Sequence, residues 1–226
     1  MATPSIVTPF VELTGEPGIR GFLHEPGLGR SSTGFGDAVV LTHGAGADCQ
    51  SRLLVEMSDA LAACGFTVLR FDLPFRQLRR HGPPAFGSAA RDRDGLRRAA
   101  GIMRKKMEGR VFLGGHSYGG RQATMLVAEE PEIADRLLLL SYPLHPPKKP
   151  AELRTGHFPK LSTPAFFVHG TRDPFGTIAE MKAALKLIPG AHALVEVEGA
   201  GHDLVGKKTG AEWPARIANE FETFLK

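Results

Sequence analysis

The 226-residue chain, 42% hydrophobic and 23% charged with a formal net charge of +4, has the make-up of one soluble globular domain; a chain of that size buries roughly 70–75% of its unfolded surface. No stretch reaches the ~18 consecutive apolar residues of a membrane span, and Cys49 and Cys64 lie outside any Cys-x-x-Cys pair or zinc-like Cys/His spacing, which excludes a disulfide scaffold and a zinc-organised module. Isolated thiols, and an opening MATPSIVTPF without a basic start followed by a long apolar run, point to the cytoplasm.

In chain order, the first elements are two strands over 7–13 and 19–24, joined by a turn containing Glu16-Pro17-Gly18. A hairpin here puts antiparallel strands on one edge of a sheet. Residues 27–36, dense in Gly and Ser, read as a loop and not a domain linker, because too little chain precedes them to form a core. Short apolar runs then alternate with amphipathic stretches. The runs at 38–42, 67–72, 111–114, 136–141, 165–169 and 193–197 are too short for typical helices, and most are bounded by Gly or Pro, as strands buried on both sides are. Helices are predicted over 51–63, 91–107, 119–129, 178–188 and 212–225. In the last, Trp213, Ile217, Phe221, Phe224 and Leu225 recur at three- and four-residue intervals, which makes one side apolar. The order predicts a three-layer α/β fold over the whole chain, 1–226, as one domain: a mostly parallel sheet, helices on both faces, and an antiparallel N-terminal edge.

Charge is unevenly spread. Residues 76–110 hold eleven Lys/Arg against Asp92, Asp94 and Glu108, while the remainder of the chain is net acidic. Such a stripe attracts nucleic acid or an anionic substrate, but Phe86 is the one aromatic after Phe75 and no recognised nucleic-acid module surrounds it. The stripe therefore reads as a solvated helix face, with steering of an acidic partner as the alternative, and no nucleic-acid or membrane partner is expected. Residues 143–163, which include Pro146-Pro147-Lys148-Lys149-Pro150, are too few for a helical cap domain, so the site is expected to be open. Arg76, or Lys148 and Lys149, are candidate contacts for an anionic substrate, and Phe75 and Tyr142 candidate walls of an acyl pocket.

Chemistry concentrates in four places. Gly115-His116-Ser117-Tyr118-Gly119 follows the apolar run Val111-Phe112-Leu113 and precedes a helical pattern. This strand-turn-helix setting presents Ser117 on a strained turn, where small neighbours let strand and helix approach and the N–H of Tyr118 faces developing negative charge. Leu41-Thr42-His43-Gly44-Ala45-Gly46 ends an early strand with small residues, and Ala45, with Gly46 as alternative, is the candidate second oxyanion donor. A serine hydroxyl needs a base, and a histidine base needs a carboxylate to hold its tautomer. Asp173 lies just past one strand and His202 just past the next, on the sheet rim that carries Ser117. His43 comes too early in the chain for that order, and His116 and His169 read as local hydrogen-bonding groups.

These motifs together resemble the α/β-hydrolase superfamily, from His43-Gly44 through the Ser117 turn and His169-Gly170-x-x-Asp173 to Gly201-His202. The missing cap and the Leu-Thr-His-Gly-Ala-Gly segment look most like small bacterial hydrolases, including dienelactone-hydrolase-like proteins. They also look like the group related to a testis-expressed protein and a subunit of a chromatin acetyltransferase complex. Dienelactone hydrolases typically carry cysteine where this chain has Ser117. The resemblance implies an acyl-enzyme on Ser117, two N–H groups on the oxyanion, His202 returning the proton, and a small ester or thioester substrate; it implies no metal or organic cofactor. Acyl transfer or perhydrolysis on the same residues, and an interaction protein with little turnover, remain alternatives, and the oligomeric state stays open.

Overall fold

Buried residues alternate sides along the central strands, and that alternation builds the layers. The computed structural model describes residues 5–27, 36–204, 210 and 212–226. Its strands are β1 (Ile6–Glu12), β2 (Ile19–Glu25), β3 (Ala38–Thr42), β4 (Thr67–Phe71), β5 (Val111–His116), β6 (Arg136–Leu140), β7 (Ala165–Gly170) and β8 (His192–Val197). They form one sheet in the order β1-β2-β4-β3-β5-β6-β7-β8. β2 pairs antiparallel with both β1 and β4, and every other neighbouring pair is parallel. The antiparallel N-terminal edge is thus as the sequence predicts.

The helices are α1 (Arg52–Ala63), α2 (Pro74–Leu78), α3 (Ala89–Lys106), α4 (Tyr118–Glu129), α5 (Ile178–Leu185) and α6 (Trp213–Phe224). Val40, Leu69, Leu113, Leu137 and Leu139 face one way and pack with Leu96 and Met103 of α3, Leu126 of α4 and Met181 of α5. Their strand neighbours Val39, Leu41, Val68, Phe112, Leu138 and Leu140 face the other way, against Leu54, Met57 and Leu61 of α1 and Ile217 and Phe221 of α6. Each such fully buried side chain contributes about 1.5–3 kcal/mol. The result is three layers with no cap domain. The β6–β7 connection contains only a single 3-10 turn, Phe158–Lys160.

Differences from the sequence reading are local. α2 is five residues long, too short to show a hydrophobic period; its cue is Pro74, whose fixed φ suits a first helical position. α5 stops at Leu185 and not at 188, because the N–H groups of Leu187 and Ile188 turn to the carbonyls of Ala184 and Leu185 in a tighter turn. Its start is fixed by a capping box: the Thr177 hydroxyl accepts the Glu180 N–H while the Glu180 carboxylate accepts the Thr177 N–H. Most of the Gly-rich loop expected at 27–36 lies outside the described residues. Among the described residues no helix is long and apolar enough to cross a membrane.

The basic stripe meets acids that lie far away in sequence. Arg97 reaches Glu130, Arg104 Asp135, Arg110 Asp37 and Arg91 Glu16. The functional geometry follows from topology: the chain passes from β3 to β4 on one side and then to β5 on the other. Beyond the C-terminal ends of β3 and β5, where the strand order reverses, an open α/β sheet leaves a crevice for ligands.

Candidate active site

Ser117 stands at that crevice, between β5 and α4, with φ 50° and ψ −113°. Left-handed backbone on a non-glycine residue costs of order 1–3 kcal/mol and persists only where the surroundings fix it. Here the Ser117 N–H donates to Leu140 O at 2.9 Å, and its carbonyl accepts the Arg121 N–H at 2.9 Å. Gly119 lets α4 close onto β3: a Cβ there would lie 2.6 Å from both His43 O and Thr42 Cγ2.

The loops after β7 and β8 bring Asp173 and His202 to the same place. His202 Nδ1–H donates to Asp173 Oδ2 at 2.8 Å, and Ser117 Oγ–H donates to His202 Nε2 at 2.8 Å. The Asp173 side chain is fully buried and His202 about one-fifth exposed. The other carboxylate oxygen, Oδ1, accepts the Phe175 N–H at 2.8 Å. Phe175 also stacks on the His202 ring, with centroids 4.1 Å apart at 30°. The imidazole is therefore held at both nitrogens and along one face.

Two further histidines shape these loops. His116 Nε2–H donates to the His202 carbonyl at 2.8 Å, and His169 Nε2–H to Gly176 O at 2.7 Å. Burial, and then the adjoining His202, push the His116 pKa down to about 4, and burial lowers that of His169. Both rings are neutral near pH 7. In this form each fixes a backbone carbonyl, in the local role the sequence assigns them.

The loop after β3 is fixed one peptide at a time. The Gly44 carbonyl accepts from Ala47 N–H at 3.1 Å and from His43 Nδ1–H at 2.9 Å. His43 Nε2 in turn accepts the Leu73 N–H, which sets the tautomer. In a trans peptide the N–H points opposite to the carbonyl, so these bonds orient the amide of Ala45. The next carbonyl, Ala45 O, accepts from Arg76 Nη2 at 2.9 Å, and Ala47 O from Arg76 Nε at 2.8 Å. Tyr118 is the first residue of α4, where an N–H has no intrahelical acceptor. Its hydroxyl donates to the buried Asp92 at 2.7 Å, whose second oxygen accepts the Phe75 N–H. Asp92 therefore joins α3 to the Ser117 turn, a role invisible while it counted only as one charge in a basic stripe.

A cleft of about 900 Å³ opens over Ser117, bounded by the Gly44–Ala47 loop, Phe86, Pro143, Phe175 and two arginines, Arg121 and Arg154. Three candidate substrate contacts from the sequence lie elsewhere. Arg76 is buried and donates to the carbonyls of Ala45, Ala47, Arg79 and Gly82, so it braces the loop; it borders an adjoining pocket with Gly46, Ala47 and Arg80 and not the cleft over Ser117. Tyr142 is 1% exposed and donates its hydroxyl to Arg154 O at 2.6 Å. Lys148 is exposed at a left-handed turn in the β6–β7 connection and does not line the cleft. Sequence reasoning passed over Arg121 and Arg154. Helical spacing was the available signal for Arg121, four residues beyond Ser117 and so one turn further along the same face. Among the described residues no cluster of three or more His, Cys, Asp or Glu is placed to hold a metal.

Residues 36–225 match the model of a family described as an alpha/beta hydrolase domain. Among solved structures, dienelactone hydrolase from Anabaena variabilis superposes with TM-score 0.75 at 21% identity, covering 98% of this chain and 97% of that one. Est1E from Butyrivibrio proteoclasticus gives TM-score 0.72 at 18% identity over 99% and 100% of the two chains; Est1E is also known with ferulic acid bound. A serine hydrolase without a lid from Xanthomonas campestris gives TM-score 0.61 at 15% identity, covering 100% and 93%. At these identities the likeness is one of fold.

Proposed function

Because the chain belongs to the alpha/beta hydrolase domain family, we propose that it is a serine hydrolase that cleaves carboxylic ester or thioester bonds of small acyl substrates, with Ser117 as nucleophile, His202 as general base and Asp173 as its orienting acid. The observation that carries this reading is the series of two 2.8 Å hydrogen bonds from Ser117 through His202 to Asp173. Ser117 Oγ attacks the substrate carbonyl as His202 Nε2 takes its proton. The amides of Tyr118 and Ala45 receive the oxyanion, and Asp173 stabilises the imidazolium. His202 then gives the proton to the leaving alcohol or thiol, and water, activated by the same ring, releases the acid.

The lidless cleft and the ferulic acid held by Est1E support a small acyl substrate. The sheet-wide core supports treating 1–226 as one domain, and the burial of Cys49, which keeps its thiol protonated, fits a cytoplasmic setting. Steady-state hydrolysis of short p-nitrophenyl esters tests the assignment. Ser117→Ala is expected to lose turnover to background, and Asp173→Asn to lower kcat by about three to four orders of magnitude; near-normal kcat in either variant contradicts it.

A further inference from the structure

Two guanidinium groups line the cleft beside Ser117, and among the described residues no Asp or Glu lines it with them. Arg121 leaves α4 one turn beyond the nucleophile, an axial separation of about 6 Å. Its Nε is buried without a hydrogen-bond partner. Arg154 comes from the β6–β7 connection, and its backbone is pinned on both sides: its N–H donates to Leu144 O at 2.8 Å, and its carbonyl accepts the Tyr142 hydroxyl. Its guanidinium makes one long bond, 3.4 Å, to Pro143 O. Neither arginine has an ion pair among the described residues, whereas Arg97, Arg104 and Arg110 each hold a carboxylate.

Two half-buried like charges without a counter-ion oppose each other. Burial, then Arg121, lowers the Arg154 pKa, and the same two influences hold His157 down to about 4. An incoming anion relieves this cost, and a guanidinium fork matches a carboxylate in shape. We propose that Arg121 and Arg154 form a carboxylate-binding subsite, and that the preferred substrates at Ser117 are monoesters or monothioesters of small dicarboxylic acids. This rests on the serine-hydrolase reading above. In the reaction the ester C–O or thioester C–S bond breaks, the acyl group passes to Ser117 Oγ and then to water, the leaving group departs with the proton from His202, and the second carboxylate stays unchanged on the arginines.

The test compares kcat/KM for monoethyl adipate with that for its carboxamide counterpart at matched ionic strength, so that the two esters differ in the terminal charge. The acid ester is expected to be favoured about tenfold or more. That ratio is expected to fall toward one in Arg121→Gln and in Arg154→Gln, and to survive in part in Arg154→Lys. A ratio of one or less in the unmodified protein, no turnover of either ester, or a ratio unchanged in both glutamine variants overturns the subsite. Thermal unfolding checks each variant; should Arg121→Gln fail to fold, the Arg154 pair decides. Fluorophosphonate labelling of Ser117 on the same preparations separates the two claims: intact labelling without an acid preference removes the subsite alone, and absent labelling removes the serine chemistry as well.

Discussion

His202 is positioned through its main chain as much as through its ring, and this is where single residues weigh most. His116 donates to the His202 carbonyl at 2.8 Å and is neutral at assay pH. His116→Ala is expected to lower kcat about tenfold while KM moves less than about twofold, because the base loses its setting and the substrate cleft keeps its walls; unchanged kcat speaks against this. Arg76 acts likewise on the loop after β3, the proposed source of one oxyanion donor. Arg76→Ala leaves the carbonyls of Ala45 and Ala47 without their donor and is expected to lower kcat by about tenfold or more. Arg76→Lys is expected to fall between, since one ammonium cannot reproduce the fork; a lysine variant as active as the unmodified protein would exclude the bracing role. At this scale the residues legible in the sequence were those whose meaning is carried by a local motif and chain order, namely Ser117, Asp173 and His202. The carbonyl partners of Arg76 and Tyr142 were not legible, because a side chain's chemistry does not say which carbonyl it will meet across the fold.

Among the elements, α6 depends on a single apolar stripe. Phe221 is fully buried and meets Phe112 and Phe166 with ring centroids 5.6 Å apart, and Phe66 at 6.1 Å. Phe221→Ala is expected to cost about 3–5 kcal/mol in denaturant unfolding, from lost burial and the cavity left behind; a loss under about 1 kcal/mol would mean that α6 does not seal that face. The same stripe was readable beforehand, because Trp213, Ile217, Phe221 and Leu225 recur at four-residue steps. The central strands were readable for a related reason: buried on both faces, they appear as short unbroken apolar runs. α2 was not, since five residues carry no period, and the end of α5 was placed late because the apolar Leu187 and Ile188 extend the pattern past the point where the backbone tightens.

Over the whole molecule, buried histidines set the response to acid. Burial lowers the pKa of His24, His43, His116, His157 and His169 below the ordinary 6.5, with His116 and His157 at about 4. As pH falls below about 6.5 the unfolded chain takes up protons that the folded chain refuses, so the free energy of unfolding declines. The decline is present from about 6.5 down to about 4, where His116 and His157 begin to protonate in the fold. Glu12, Glu130 and Glu180, held low by hydrogen bonds and by Arg97 at Glu130, act in the same direction at lower pH; Asp92, raised by burial, opposes them. Denaturant midpoints are expected to fall steadily between pH 6.5 and 4, and a flat or rising profile contradicts this. The charge pattern shows what composition alone leaves open: an excess of eight positive charges over 76–110 reads as one surface in the sequence, yet several of those arginines are spent on acids that the fold draws from β1 and from the loops before β3 and β6.

The molecule's chemistry rests on a hydroxyl made nucleophilic by its neighbours, and covalent trapping reads that property directly. A fluorophosphonate followed by peptide mapping is expected to modify Ser117 alone, and at least about a hundredfold more slowly in His202→Ala. A folded protein that remains unmodified, or one modified at another serine such as the buried Ser141, would contradict the account.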